Sequence, residues 1–448
     1  MREGGLGAPT RHPIAWQDPD FYDPEKIEAE LRRVFDICHG CRRCFNLCDS
    51  FPRLFDMIDE SPSGELEGVD PKNYGQVVEA CTLCDMCFMT KCPYVPPHEF
   101  NIDFPHLMLR HRAAQEKAGK VGWADRALAE TDRNGQWVRP VAGLANWASK
   151  LGNGLTRPLM EKIAGIDRHA ALPKFHARTF ELRAQSESFA PDAAAPAYGR
   201  KAVLYATCFV NYNNPAIGEA TRAVLAKNGV ATTVAYPECC GMPQMEQGQL
   251  PRVAAKAKRV AAALMPFIDQ GYDIVALIPS CALMLKFEWP LLLPGDESIL
   301  KLARATFDLS EYVVDIAKKE GLAPGMKPLP GGVSLHLACH ARAQNMGAKA
   351  ADMLRLLPAA ELDVIERCSG HGGSWGVKKE NFAVAMKVGR PAARQAAKDG
   401  KTYLASECPL AALHLQQGVE ALEQSPMTML HPIELMALAY GLPAGDHS

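Results

Sequence analysis

Long uncharged apolar runs are missing from this 448-residue chain: no stretch reaches the about 18 residues that a membrane-spanning helix needs. A charge excess is missing too. With 49 Lys and Arg against 51 Asp and Glu, the formal net charge is −2, which excludes a chain-wide basic field for nucleic acid. The first residues, MREGGLGAPTRHPIAW, lack the apolar core of a signal peptide, so secretion is not expected. Nucleotide motifs are absent as well. Gly370, Gly372, Gly373 and Gly376 enrich GHGGSWG, but without GxGxxG or Walker spacing. These glycines more simply let the backbone pass close to a bound group. With no flavin or nicotinamide fingerprint, hydride chemistry is expected on another subunit. What the chain has in unusual measure is cysteine, fifteen residues. Without a leader, these read as reduced thiols for metal in a cytoplasmic compartment rather than as disulfides. A composition of 48% apolar and 22% charged residues is ordinary for a globular chain long enough for two or three domains.

Eight cysteines fall in two runs, Cys38-x2-Cys41-x2-Cys44-x3-Cys48 and Cys81-x2-Cys84-x2-Cys87-x4-Cys92-Pro93. Three cysteines at i, i+3 and i+6 can wrap three irons of a cubane cluster, with the fourth thiolate arriving from elsewhere. In two-cluster ferredoxin geometry that fourth ligand is exchanged. The expectation is two 4Fe-4S clusters, one on Cys38, Cys41, Cys44 and Cys92 and the other on Cys81, Cys84, Cys87 and Cys48. Zinc sites bring CxxC pairs well apart instead. Two departures stand out: Asp49 takes the usual proline position, and one extra residue precedes Cys92, which suggests a bulged connection.

The pattern divides the chain. Residues 1–24, rich in Gly, Pro and Asp, read as an extended arm. Residues 25–115 form a mainly helical two-cluster ferredoxin-like domain, opened by a helix from Pro24 and closed by one from Pro105. Residues 116–183 read as a helical, basic amphipathic region. In it Val141, Leu144, Ala148, Leu151 and Leu155 fall on one helical face beside Trp147, although Gly152, Gly154 and Pro158 weaken a long continuous helix. Seven Lys or Arg lie between Lys150 and Arg183, against Glu161, Asp167 and Glu181. Such a segment can lie on an anionic membrane or dock a partner; it can equally be an ordinary packed helix with a solvated basic edge. Residues 184–199 read as an Ala/Pro/Ser linker. The fold class expected is therefore multidomain, α+β and α/β, ending in a duplicated α/β Cys-Cys-Gly domain with units 200–330 and 331–448. Strands are predicted at 201–207, 230–236 and 272–280, then at 332–338, 361–366 and 401–407, with helices between them.

Each unit sets cysteines just after its strands. Cys208, Cys239-Cys240-Gly241 and Cys281 recur as Cys339, Cys368 and Cys408, offset by 131, 129 and 127 residues (339−208, 368−239, 408−281). In an open α/β sheet the strand carboxyl ends share one edge, where ligands collect. One buried cysteine means little; six in register point to a bound group. The chain resembles the heterodisulfide reductase catalytic subunit family and the iron-sulfur subunit type of anaerobic glycerol-3-phosphate dehydrogenase. The resemblance covers nearly its whole length, including KCPYVPPHEFNIDFPHLML, RPLMEKIAGIDRHAALPKFHARTF, ACHARAQNMG, GHGGSWGVKKE and HPIELMALA.

The resemblance implies a cluster in each Cys-Cys-Gly unit, noncubane and held by five thiolates in heterodisulfide reductases. Here Met284, Ser369 and Ala411 occupy ligand positions. The first unit keeps Cys208, Cys239, Cys240 and Cys281, enough for a third iron-sulfur cluster, 4Fe-4S or noncubane. The second keeps Cys339, Cys368 and Cys408. It could hold a cluster, a zinc completed by His340 or His371, or nothing; each histidine also has the ordinary role of a hydrogen-bond donor beside a metal loop. The function implied is an iron-sulfur electron-transfer subunit that relays electrons between a flavoprotein dehydrogenase and quinone or another acceptor. Its expected place is cytoplasmic and peripheral on the inner membrane surface. The alternatives are a thiol/disulfide reductase and a zinc-stabilised membrane-docking scaffold.

Overall fold

The structure is a computed structural model that describes residues 9–424 and 427–444. Helix α1 (Pro24–Cys41) starts where Asp23 accepts hydrogen bonds from the amides of Glu25 and Lys26, with Pro24 in the first turn. It ends at Arg42, which turns left-handed at φ 54°. Its buried face, Ile27, Leu31, Val34 and Phe35, follows the 3.6-residue period. That face packs on α2 (Ser50–Asp59), α3 (Tyr74–Ala80) and α4 (Phe104–Lys117), where Phe35 meets Tyr74 edge-on with ring centroids 5.2 Å apart. The described part of the predicted arm crosses onto the first Cys-Cys-Gly unit: Ile14 donates its amide to Leu291 O, and the Trp16 indole donates to Leu292 O.

The middle region is built of short helices, α5 (Trp123–Ala129), α6 (Thr131–Val138), α7 (Ala142–Ser149) and α8 (Thr156–Ala164). The predicted apolar stripe is not one helical face. Val141 precedes α7, while Leu151 and Leu155 lie in the turn after it. The break is chemical: Gly152 takes φ +80°, and the Asn153 side chain accepts from the amides of Leu155 and Thr156 to open α8. Nor are these side chains core. Leu144 is 64% exposed and Leu155 80%. Arg157, counted as surface charge by its sequence, is buried as a staple on the carbonyls of Asp167, Arg168 and Ala170. The segment read as a linker lies against the helix Pro215–Lys227, tied by Asp192 to Ala226 O and to Lys227.

Two four-stranded parallel sheets follow. β1 (Lys201–Tyr205), β2 (Ala231–Ala235), β3 (Asp273–Ala276) and β4 (Thr306–Asp308) run in the order β2-β1-β3-β4. β5 (Val333–His336), β6 (Leu362–Ile365), β7 (Tyr403–Ser406) and β8 (Thr428–Leu430) repeat that order as β6-β5-β7-β8. The register aligns the strand ends, with Tyr205 opposite Ala235 and Ala276, and His336 opposite Ile365 and Ser406. Six of the eight strands coincide with the predicted ones. β4 and β8 span three residues each, too short for a period-two pattern to register. One face of the first sheet shares a core with the N-terminal module, through Val203, Tyr205, Met245 and Val253 with Leu83, Phe104 and Met108. Its other face shares a core with the second sheet, through Leu204, Val275, Leu335 and Ile433.

Candidate metal centres

Four groups of thiols come together. At the end of α1, Cys38 stands among Cys92, Cys44 and Cys41, and burial with these neighbours pushes its thiol up. Burial, Cys92 and Cys41 push Cys44 up to about 12. The four line one small cavity with Phe51, Phe55, Pro93 and Tyr94. In the second group burial, then Cys84 and Cys81, act on Cys48, and burial, then Cys84, Cys81 and Cys48, act on Cys87. Cys44 also acts on Cys87, so the first two groups adjoin. Thiols this close hold one another protonated, and a multivalent cation is what lets such a set ionise together. The donor chemistry fits an iron-sulfur group.

The sulfurs share a backbone device. Amides two residues on are aimed at Cys48 (from Ser50), Cys81 (Leu83), Cys84 (Met86), Cys92 (Tyr94), Cys239 (Gly241) and Cys368 (Gly370). Left-handed residues make the turns, Leu83 at φ 48° and Asp85 at φ 63° among them. Such N–H to sulfur bonds stabilise ionised thiolate and help set cluster potentials.

In the first Cys-Cys-Gly unit Cys208 follows β1, the pair Cys239-Cys240 follows β2 and Cys281 follows β3. The sulfurs of Cys239 and Cys208 lie 3.7 Å apart. Cys239 is the thiol held lowest, through its hydrogen bonds with Cys208 and then Cys240. The site is roofed from the middle region. Asp132 on α6 accepts from the Cys239 amide at 3.1 Å, from the Tyr236 hydroxyl and from Lys256 Nζ at 2.9 Å, while Trp289 Nε1 donates to Cys240 O at 3.2 Å. Asp132, Tyr236 and Lys256 carried no sequence signal, since nothing in α6 marks it as facing a cysteine pair 107 residues on. Of the positions where the resemblance leads one to expect a further cysteine, Met284 is fully buried and Ala411 nearly so.

In the second unit Cys339 has Cys84, Cys368 and Cys408 as charged neighbours beyond the effect of burial. Cys84 in turn is pushed up to about 12 by burial and then Cys368. The three cysteines of the degenerate unit therefore meet each other and border the second N-terminal group. The two candidate histidines differ. His340 has both ring nitrogens engaged, Nδ1 with Ser280 Oγ at 2.8 Å and Nε2 with Leu83 O at 3.3 Å. His371 Nε2 is buried without a hydrogen-bond partner, as is Nε2 of His414, whose ring lies 6.1 Å away. Burial, then His414, lowers His371 to about 3. His414, six residues beyond Cys408 in the helix Pro409–Glu420, was not a sequence candidate because its spacing matches no ligand motif. Among the described residues no three His, Cys, Asp or Glu side chains are placed to share a single metal ion. A multi-iron cluster holds its thiolates further apart than one ion's coordination shell does.

Two segments, residues 202–286 and 333–416, match the cysteine-rich domain family CCG. The chain is 27% identical over 306 residues to an anaerobic glycerol-3-phosphate dehydrogenase subunit of Escherichia coli K12, covering 68% of this chain and 75% of that one. It is 30% identical over 190 residues to lactate utilization protein A of Geobacillus kaustophilus, covering 40% and 75%. It is 27% identical over 248 residues to a fumarate reductase (CoM/CoB) subunit of Methanothermobacter marburgensis, covering 54% and 47%.

Proposed function

The chain belongs to the family of proteins built on a duplicated cysteine-rich CCG domain, and from that premise we propose that it is an iron-sulfur electron-transfer subunit of a dehydrogenase or reductase complex. The observation that carries the reading is the convergence of the fifteen cysteines into four groups. Cys38, Cys41, Cys44 and Cys92 would hold one 4Fe-4S cluster in a ferredoxin-like module, and Cys81, Cys84, Cys87 and Cys48 a second. Cys208, Cys239, Cys240 and Cys281 would hold a third cluster. Such clusters supply one-electron steps at potentials set by hydrogen bonds and burial. The chain's own contribution is to fix the thiolates, aim backbone amides at their sulfurs and exclude water. For Cys339, Cys368 and Cys408 a nitrogen ligand is favoured at His371, whose Nε2 has no other partner, over His340, whose ring is engaged.

The electron donor in this reading is a flavoprotein dehydrogenase subunit, and the acceptor is quinone or another carrier at the inner membrane surface. Among the described residues no helix is long and apolar enough to cross a membrane. The support for a peripheral position is the middle region. Trp137, Leu144, Trp147, Leu155 and Ile163 are all more than half exposed there, with Lys150, Lys162, Lys174 and Arg178 exposed nearby. Aromatic and aliphatic side chains edged by basic ones suit the interface of an anionic bilayer. A stepwise anaerobic dithionite titration followed by EPR tests the relay. It should take up more than two electrons per chain at distinct centres, and uptake of none sinks it.

A further inference from the structure

One side chain stands where three cysteine groups meet. His340 directly follows Cys339 at the start of the helix Cys339–Arg342, which packs on the helix Pro279–Leu283 that carries Cys281. Its Nε2 lies 3.3 Å from the carbonyl of Leu83, in the loop between Cys81 and Cys84. Its Nδ1 lies 2.8 Å from the hydroxyl of Ser280, the residue before Cys281. A carbonyl only accepts, so Nε2 carries the proton; in the neutral ring Nδ1 then accepts from Ser280. The ring is buried. Gln344, one turn on, holds the junction shut. Its Nε2 reaches the carbonyls of His340 at 3.2 Å and Pro279 at 3.4 Å and the carboxylate of Asp308 at 3.2 Å, while Lys286 donates to its Oε1.

We propose that His340 is the positioning residue that couples the second N-terminal cysteine group to both Cys-Cys-Gly groups. The proposal rests on the iron-sulfur reading above. Electron exchange between buried centres falls off steeply across empty gaps and less steeply through bonds and hydrogen bonds. The imidazole replaces a gap with two hydrogen bonds joining the Cys84 loop to the Cys281 helix, and its own backbone joins Cys339. No proton leaves the ring in this role: Nε2–H stays on Leu83 O while single electrons pass between the groups it links. Hydrogen bonds of this kind around metal ligands fix their orientation and the properties of the metal group.

The test uses anaerobically purified protein in four forms: wild type, His340→Phe, His340→Gln and Ser280→Ala. Iron content and thermal midpoint are recorded for each, with the rate at which an electron introduced by flash reduction redistributes among the centres, read by freeze-quench EPR. His340→Phe should keep its iron yet redistribute about tenfold more slowly, and His340→Gln, which can donate to Leu83 and accept from Ser280, should recover most of the rate. Ser280→Ala, losing one of the two bonds, should fall between them and carries the test if His340→Phe does not fold. A wild-type rate in His340→Phe or Ser280→Ala overturns the proposal, as does a glutamine variant as slow as the phenylalanine one. Wild-type protein with iron only in its two N-terminal groups overturns the reading beneath it as well, and the iron assay tells the two failures apart.

Discussion

Arg11 donates to both carboxylate oxygens of Asp85, each at 2.8 Å, and so binds the N-terminal arm to the loop between Cys84 and Cys87. The same guanidinium reaches Asp103 at 2.7 Å and Glu288 at 3.2 Å and lies over the Phe88 ring, 4.5 Å from its centroid. One cation thus joins the arm, the second cysteine run, α4 and the first Cys-Cys-Gly unit. Removing it leaves three acids with insufficient compensation in a buried site. Arg11→Met is expected to lower unfolding free energy by about 3–5 kcal/mol, measured by denaturant titration; a change below about 1 kcal/mol would show the cluster to be dispensable.

The same cluster sets an acid limit. Burial works against ionisation of Asp103, but His106 and Arg11 outweigh it and hold the carboxyl at about 2. A carboxyl depressed in the folded state contributes stability that is complete above its unfolded value of about 4. That stability is lost as pH falls through the folded value. Between those limits this group accounts for about 2 kcal/mol. Denaturation midpoints measured from pH 5 to 2 should fall for wild type and fall less steeply for Asp103→Asn; parallel curves would contradict the assignment.

Gly370 holds φ at +81°, and a Cβ there would meet Ala385 O at 2.1 Å. Its amide also donates to Cys368 Sγ at 3.3 Å. Gly370→Ala is therefore expected to cost about 2–4 kcal/mol and to displace the Cys368 loop. Equilibrium unfolding reads the first, and a shifted EPR signal from the second unit reads the second. Wild-type stability would mean that the loop gives way without strain.

Leu144 and Leu151 are 64% and 45% exposed, so replacing both with Asp should leave folding intact. Flotation with vesicles of anionic phospholipid should fall several-fold in the double variant and fall in wild type as salt is raised. Unchanged flotation would remove this face as the contact.

Much of this was legible in the chain. The i, i+3, i+6 cysteine spacing could be read because a tight loop is local; in the structure Cys38 neighbours Cys41, Cys44 and also the distant Cys92, and Cys48 neighbours Cys81 and Cys84. The β-branched runs anticipated β1 to β3 and β5 to β7. The 127 to 131 residue offsets anticipated two similar sheets, and the repeated strand order bears that out. What stayed hidden was non-local. Nothing in the sequence near Cys339 says that Cys84 lies beside it, or that His340 spends its ring on Leu83 and Ser280. The apolar stripe misled because period alone cannot see Asn153 capping a new helix where the old one stops.

The cysteine groups beyond the N-terminal pair are the ones whose iron decides between a relay and a two-cluster ferredoxin. The most direct measurement is iron, zinc and acid-labile sulfide per chain with low-temperature EPR, on anaerobically purified wild type and Cys239→Ser. Iron and sulfide beyond two cubane clusters are expected in wild type, with loss of one signal in Cys239→Ser and the N-terminal pair intact. Iron for two cubanes alone, or a Cys239→Ser spectrum identical to wild type, would contradict the relay.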